Sequence, residues 1–264
     1  MGATAIDPME GHVTTTKPAT DRRTFRRTGY WLIDFYRSDV GKKWAMAVTG
    51  IALLGYILAH MIGNLKVYLS PEEINLYGEA LRDLGGHLVP RTSLLWILRL
   101  GLIAAFAIHI HAAYTLSFRN RKARGPVRYD TDQRFLAASY ASRTMTYTGT
   151  IVLAFLIFHL ADLTWGASPA APEIWERGEV YANFVETFSR WPVAVFYIVA
   201  NVALGFHIWH GIWSLFQSLG INNPRFNQWR RNLATTFTVV VIGGNLTFPL
   251  AVLSGIVGDN GFLA

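Results

Sequence analysis

Residues 44–67 read WAMAVTGIALLGYILAHMIGNLKV. The run carries one ammonium, Lys66, close to its end, and one imidazole, His60, in its second half. About 20 mainly apolar residues suffice to cross a bilayer as a helix, so this stretch reads as a membrane span. An ionisable side chain at that depth is costly and is normally retained for a task. Four further stretches of the same character follow, roughly 93–117, 143–165, 191–217 and 234–258. The expected fold is therefore all-α, an integral membrane bundle of five transmembrane helices spanning 37–264. Residues 1–36 form a polar tail and an interfacial segment ahead of it.

Composition agrees. Apolar residues make up 52% of the chain and charged ones 16%, against about 25% charge in a soluble domain. Residues 1–30 are Thr/Arg-rich with no apolar run, so no secretory signal is expected ahead of the first span. Cysteine is absent, which excludes disulfides, thiolate nucleophiles and protein-ligated iron-sulfur clusters within this chain. An iron-sulfur centre would belong to a partner.

Cationic residues set the expected orientation. Lys17, Arg22, Arg23, Arg26, Arg27, Arg37, Lys42 and Lys43 precede the first span, and Arg119 to Arg134 include six more between spans two and three. The loops on the other side are balanced by Glu72, Glu73, Glu79 and Asp83, and by Glu173, Glu176, Glu179 and Glu186. The positive-inside rule then puts the N-terminus in the cytoplasm, with the protein a multi-pass membrane component. The net charge of +7 marks an inner face suited to anionic lipid or an acidic partner. It does not mark a nucleic-acid site, because the basic residues flank spans.

Within this topology four histidines sort by depth. His60 and His159, late in outward-running spans, lie roughly 7 Å toward the outer face; His111 and His210, late in inward-running spans, lie roughly 9 Å toward the cytoplasm. Neutral imidazole is a standard axial ligand of haem iron. The expectation is two haems stacked along the membrane normal, the outer ligated by His60 and His159 and the inner by His111 and His210. A small residue stands ten positions before each: Gly50, Gly101, Gly149 and Ala200. Ten residues span about 15 Å of helix, so each small residue falls at the level of the other haem. Small residues also simply let membrane helices approach. His109 and His207 compete for the inner roles: His109 is about 200° round the helix from His111, whereas His207 shares a face with His210. His12 and His87 lie in polar segments and read as solvated.

The run Ser38-Asp39-Val40-Gly41-Lys42-Lys43 with Met46, Thr49 and Gly50, followed by Ala59-His60-Met61-Ile62-Gly63-Asn64-Leu65, resembles the cytochrome b558 membrane anchor of succinate dehydrogenase and fumarate reductase. So do His111-Ala112-Ala113, Phe158-His159-Leu160 and His210-Gly211. The resemblance covers roughly 36–255 and favours His111 over His109 and His210 over His207. It implies two haem b groups, the distal one ligated from spans one and three, and menaquinone as electron acceptor. It also implies a flavoprotein subunit that oxidises succinate and an iron-sulfur subunit that passes electrons on. The chain would be the non-dehydrogenating electron-transfer subunit of that enzyme. A carboxylate two residues before the last ligand in some menaquinol fumarate reductases is Ile208 here, so that proton route is not expected. Asp162 reads as an end-of-helix residue meeting interfacial water, or as a distal quinone or proton site, with Glu72, Glu73 and Glu79 weaker candidates.

Arg99 on the outer side, and Lys43 and Arg143 on the inner side, are candidate partners for haem propionates, or else snorkel to head groups. Tyr30 to Arg37 reads as an interfacial segment, and either it or the loop 118–140 could dock the iron-sulfur subunit. Competing readings are a haem b anchor of a formate dehydrogenase or hydrogenase type, a quinol:fumarate reductase, a proton-handling transporter and a haem-free anchor.

Overall fold

A computed structural model describes residues 28–124, 136–221 and 223–258, with the side chains of 124 and 136–143 outside that description. Five helices are long and apolar enough to cross a membrane: Asp39–Tyr68, Ser93–Ala123, Thr144–Trp165, Trp191–Ser218 and Pro224–Leu253. The described residues contain no strand. The fifth span begins earlier than its apolar stretch, because a turn at Pro224–Phe226 leads directly into the helix.

A short helix, α1 (Trp31–Arg37), leads into the first span, α2 (Asp39–Asn64). Ser38 makes the corner. Its hydroxyl donates to the Phe35 carbonyl at 2.6 Å and accepts from the Gly41 amide at 2.9 Å, ending one helix and capping the next. Tyr30, Trp31 and Leu32 of this segment are exposed, the amphipathic composition of a membrane-interface segment.

Two further helices lie outside the spans. Helix α3 (Pro71–Arg82) starts with Pro71 in its first turn and with the Ser70 hydroxyl accepting from the Glu73 amide at 3.1 Å. Helix α6 (Val180–Ser189) packs against it. Ile74 of α3 and Tyr181, Phe184 and Phe188 of α6 join Tyr197 and Phe248 in one buried apolar cluster. This cap sits at the far face, the end of the bundle opposite the start of α2. Glu72 and Glu73 belong to the first turn of α3, and Glu73 pairs with Lys66 at 3.0 Å. On the same surface Arg91 bonds Asp83 at 2.7 Å and also reaches Glu79. These carboxylates raise the Arg91 guanidinium above its ordinary pKa.

The remaining spans are α4 (Ser93–Arg124), α5 (Leu136–His159, continued by a wider turn through Trp165), α7 (Trp191–Ser218) and α8 (Asn227–Leu253). Their packing is uneven. Helix α2 lies along α4, and α5 lies along α7; α4 and α5 barely touch, and neither α2 with α5 nor α4 with α7 is a substantial contact. Helix α8 lies along α7 and also reaches α2 and α6. A second apolar cluster, Leu204, Ile208, Ile212, Ala234 and Ile242, joins α7 to α8 nearer the face where α2 begins. Large apolar side chains such as Ile51, Ile103, Ile157, Val199 and Val240 stay exposed along the spans. A membrane bundle turns such groups to lipid, with all backbone polar groups paired within the helices.

Candidate functional site

The histidines occupy the space between the α2–α4 and α5–α7 helix pairs. Toward the far face, His60 of α2 and His159 of α5 meet edge to face, ring centroids 5.9 Å apart and planes at 85°. Toward the near face, where α2 begins, His109 of α4 and His207 of α7 meet in the same manner, 6.4 Å apart with planes at 66°. Each pair therefore joins one helix of each packed couple, and does so between helices that otherwise hardly touch.

The near pair differs from the sequence expectation. His111 is exposed, stacks on Tyr36 at 5.7 Å and has its Nδ1 2.6 Å from the Tyr36 hydroxyl. Burial pushes the Tyr36 phenol above its usual pKa, and the Lys42 ammonium sits 4.2 Å over its ring. His210 lies edge-on to Trp209, with its Nδ1 3.1 Å from the Phe206 carbonyl of its own helix. No ring contact joins His111 to His210 among the described residues. With His109 and His111 about 200° apart, turning one inward turns the other out. Of His207 and His210, which share a face, His207 is the one whose ring meets His109 of α4 and whose Nδ1 reaches Thr148 of α5.

Hydrogen bonds fix the tautomers. The Thr49 hydroxyl donates to the Ala45 carbonyl at 2.6 Å, so its oxygen accepts from His109 Nδ1–H at 3.2 Å, with the Met46 carbonyl also at 3.2 Å. On the other helix couple the Thr148 hydroxyl donates to the Thr144 carbonyl at 2.9 Å and accepts from His207 Nδ1–H at 3.3 Å, with the Met145 carbonyl as a second acceptor. With the proton held on Nδ1, the Nε2 lone pair is free for a metal. A Cβ at Gly50 would sit 3.6 Å from the His109 ring, and one at Gly149 would sit 3.2 Å from the His207 ring. Met-x-x-Thr-Gly thus occurs twice, at 46–50 and 145–149, each time ten residues before a far-pair histidine. That repeat is the sequence signal for the near pair. Gly50 and Gly149 thus lie beside the near rings, whereas a Cβ at Gly101 would meet nothing within 4 Å.

At the far pair, Asn64 Nδ2 donates to His60 Nε2 at 3.3 Å, which also puts the His60 proton on Nδ1; unlike the near rings, His60 has its Nε2 lone pair engaged by a side chain that a ligated metal would displace. His60 stacks on Tyr56, and His159 packs against Phe155 and Tyr197. Tyr197 donates to Asp162 Oδ2 at 2.7 Å, and its oxygen lies 3.4 Å from His159 Nδ1. Asp162 is fully buried, not at interfacial water: its Oδ1 accepts from Thr187 at 3.1 Å and from Arg190 at 2.7 Å.

Two imidazoles on opposite sides of one iron, each nitrogen about 2 Å away, have ring centroids about 6 Å apart. Both pairs meet that spacing, and each opens between helices that stand apart. Among the described residues no group of three or more His, Cys, Asp or Glu comes together to cage a bare metal ion. A flat tetrapyrrole that supplies four nitrogens itself suits such pairs. The propionate candidates fare differently. The Arg99 guanidinium lies 5.1 Å over the Trp96 ring, Lys43 is exposed while Lys42 is buried, and the Arg143 side chain lies outside the described residues. His12, the tail through Arg27 and the Gly125-Pro126 part of the candidate docking loop also lie outside them.

Residues 122–246 match the family of succinate dehydrogenase/fumarate reductase transmembrane subunits. The matched segment runs from the end of α4 into α8 and includes His159, His207 and His210, but not His60, His109 or His111. No curated protein and no solved structure matches the chain.

Proposed function

We propose that this chain is the membrane anchor of a succinate dehydrogenase/fumarate reductase complex and holds two haem b groups in its bundle. The observation that carries this reading is the pairing of four membrane histidines across the two helix couples, in a chain whose second half matches that family. His60 with His159 would hold the far haem, and His109 with His207 the near haem. The geometry favours the latter two over His111 and His210. Bis-imidazole haem supplies one-electron transfer with both axial positions filled. The chain's own residues supply the rest. Thr49 and Thr148 keep the near imidazoles in the ligating tautomer, Gly50 and Gly149 make room beside them, and the helix couples enclose the pairs in an apolar medium.

Along α2 the two levels are the ten residues from Gly50 to His60 apart, about 15 Å. Electrons from an iron-sulfur subunit docked at the near, cytoplasmic face would reach menaquinone through this stack, while a flavoprotein subunit oxidises succinate. The positive-inside loops support that orientation in a bacterial cytoplasmic membrane. The test is a reduced-minus-oxidised spectrum of the purified protein with haem counted per chain. Two haems per chain are expected. A haem-free wild-type protein would leave a passive anchor or a proton-handling protein. A formate dehydrogenase or hydrogenase partner recovered with the chain would move the haem anchor to another enzyme.

A further inference from the structure

The four ring histidines are not supported alike. His109 and His207 lean on threonine hydroxyls that themselves donate to backbone carbonyls, so their acceptors are neutral. His159 leans on something else. Its Nδ1 faces the Tyr197 oxygen at 3.4 Å, and the Tyr197 proton is given to Asp162 Oδ2 at 2.7 Å. Asp162 comes from the wide turn that continues α5, three residues past His159, and Tyr197 comes from the second turn of α7. Both are buried, Asp162 completely. Thr187 and Arg190 hold the other carboxylate oxygen, so the carboxylate is fixed in place with Oδ2 left for the phenol.

A phenol that donates to a carboxylate becomes a better acceptor, because successive hydrogen bonds polarise one another in a medium of low dielectric. A better acceptor at Nδ1 makes the imidazole a stronger electron donor through Nε2 and favours the more positively charged state of a bound metal. We infer that Asp162, acting through Tyr197, is a positioning residue that lowers the midpoint potential of the far haem relative to the near one. The inference rests on the haem reading above.

The experiment is a spectroelectrochemical titration of the purified protein with both haems bound, for wild type, Tyr197→Phe, Asp162→Asn and the double variant. The component that disappears in His60→Ala is assigned to the far haem. Tyr197→Phe removes one hydroxyl and leaves the Asp162, Thr187 and Arg190 contacts in place, so it reads the relay even if Asp162→Asn folds poorly. The oxidised-to-reduced ratio of the far haem at a fixed potential is expected to fall about tenfold in each single variant, a rise of about 59 mV for a one-electron couple. The near haem should not move, and the double variant should move no further than the larger single. A far haem unmoved in Tyr197→Phe, or both haems displaced equally, would overturn the inference. A wild-type protein without haem would instead overturn the reading on which it rests.

Discussion

Replacing Gly149 by alanine is a small change with a calculable consequence. The added Cβ would stand 3.2 Å from His207 Cε1, whereas the same change at Gly50 would stand at 3.6 Å from His109 Cε1, an ordinary contact. Gly149→Ala therefore obliges the His207 ring to retreat by a few tenths of an ångström, and Gly50→Ala does not. The bond from His207 Nδ1 to Thr148 is already 3.3 Å long, so it has little margin before a retreat weakens it. Overpacking of a fitted site costs about 1–3 kcal/mol, and a cost near 1.4 kcal/mol weakens binding about tenfold. The assay is transfer of haem to an excess of an apo haem protein, followed by absorbance. It is run in a His60→Ala background so that only the near haem is read. Gly149→Ala should lower near-haem affinity about tenfold and Gly50→Ala should stay within about twofold of the parent. Equal behaviour of the two variants would refute the geometry, as would a Gly50→Ala defect larger than that of Gly149→Ala.

The ligand assignment makes a sharper demand. His109→Ala and His207→Ala should each abolish the near haem and spare the far one, while His111→Ala and His210→Ala should leave two haems per chain by pyridine haemochrome count. Thr148→Val keeps the volume but removes the acceptor at His207 Nδ1; near-haem affinity should fall about tenfold by the same transfer assay, since groups that orient a ligating imidazole typically matter by 10–100-fold. Tyr36→Phe takes away the hydroxyl at His111 and should leave both haem spectra unchanged. Phe248→Ala empties a position buried in the far-face cluster, and unfolding in detergent should show a loss of about 3–5 kcal/mol, with both haems still present in the folded fraction.

The spans were legible because lipid imposes one rule on the whole length of a helix: apolar side chains over about 20 residues. That rule marks neither α3 nor α6, which lie outside the membrane. The local signal for α3 was nevertheless present in Ser70-Pro71-Glu72-Glu73, a cap followed by a proline and two carboxylates. His60 and His159 stand alone on their helices, so depth and spacing suffice to point to them. His109 and His111 sit near opposite sides of α4, and which side faces inward depends on how α4 lies against α2. Periodicity within one helix does not contain that information. It was carried instead by the neighbouring helices, in Met46-x-x-Thr49-Gly50 and Met145-x-x-Thr148-Gly149, whose carbonyls, hydroxyls and missing side chains receive the rings. Asp162 was visible as an acid near a candidate ligand, but its partners Thr187, Arg190 and Tyr197 come from 25 to 35 residues further along the chain.

The two helix couples are consecutive in the chain: the first and second spans pack together, then the third and fourth. Each of the two histidine pairs takes one ring from each couple, so neither half of the polypeptide holds a complete pair. On the proposed haem reading, the first hairpin would enter the bilayer with its imidazoles unanswered, and capture of either haem would wait until the fourth span has left the ribosome. On that reading the prosthetic groups arrive last, and they reinforce a joint that α2 already makes with α7 and α8.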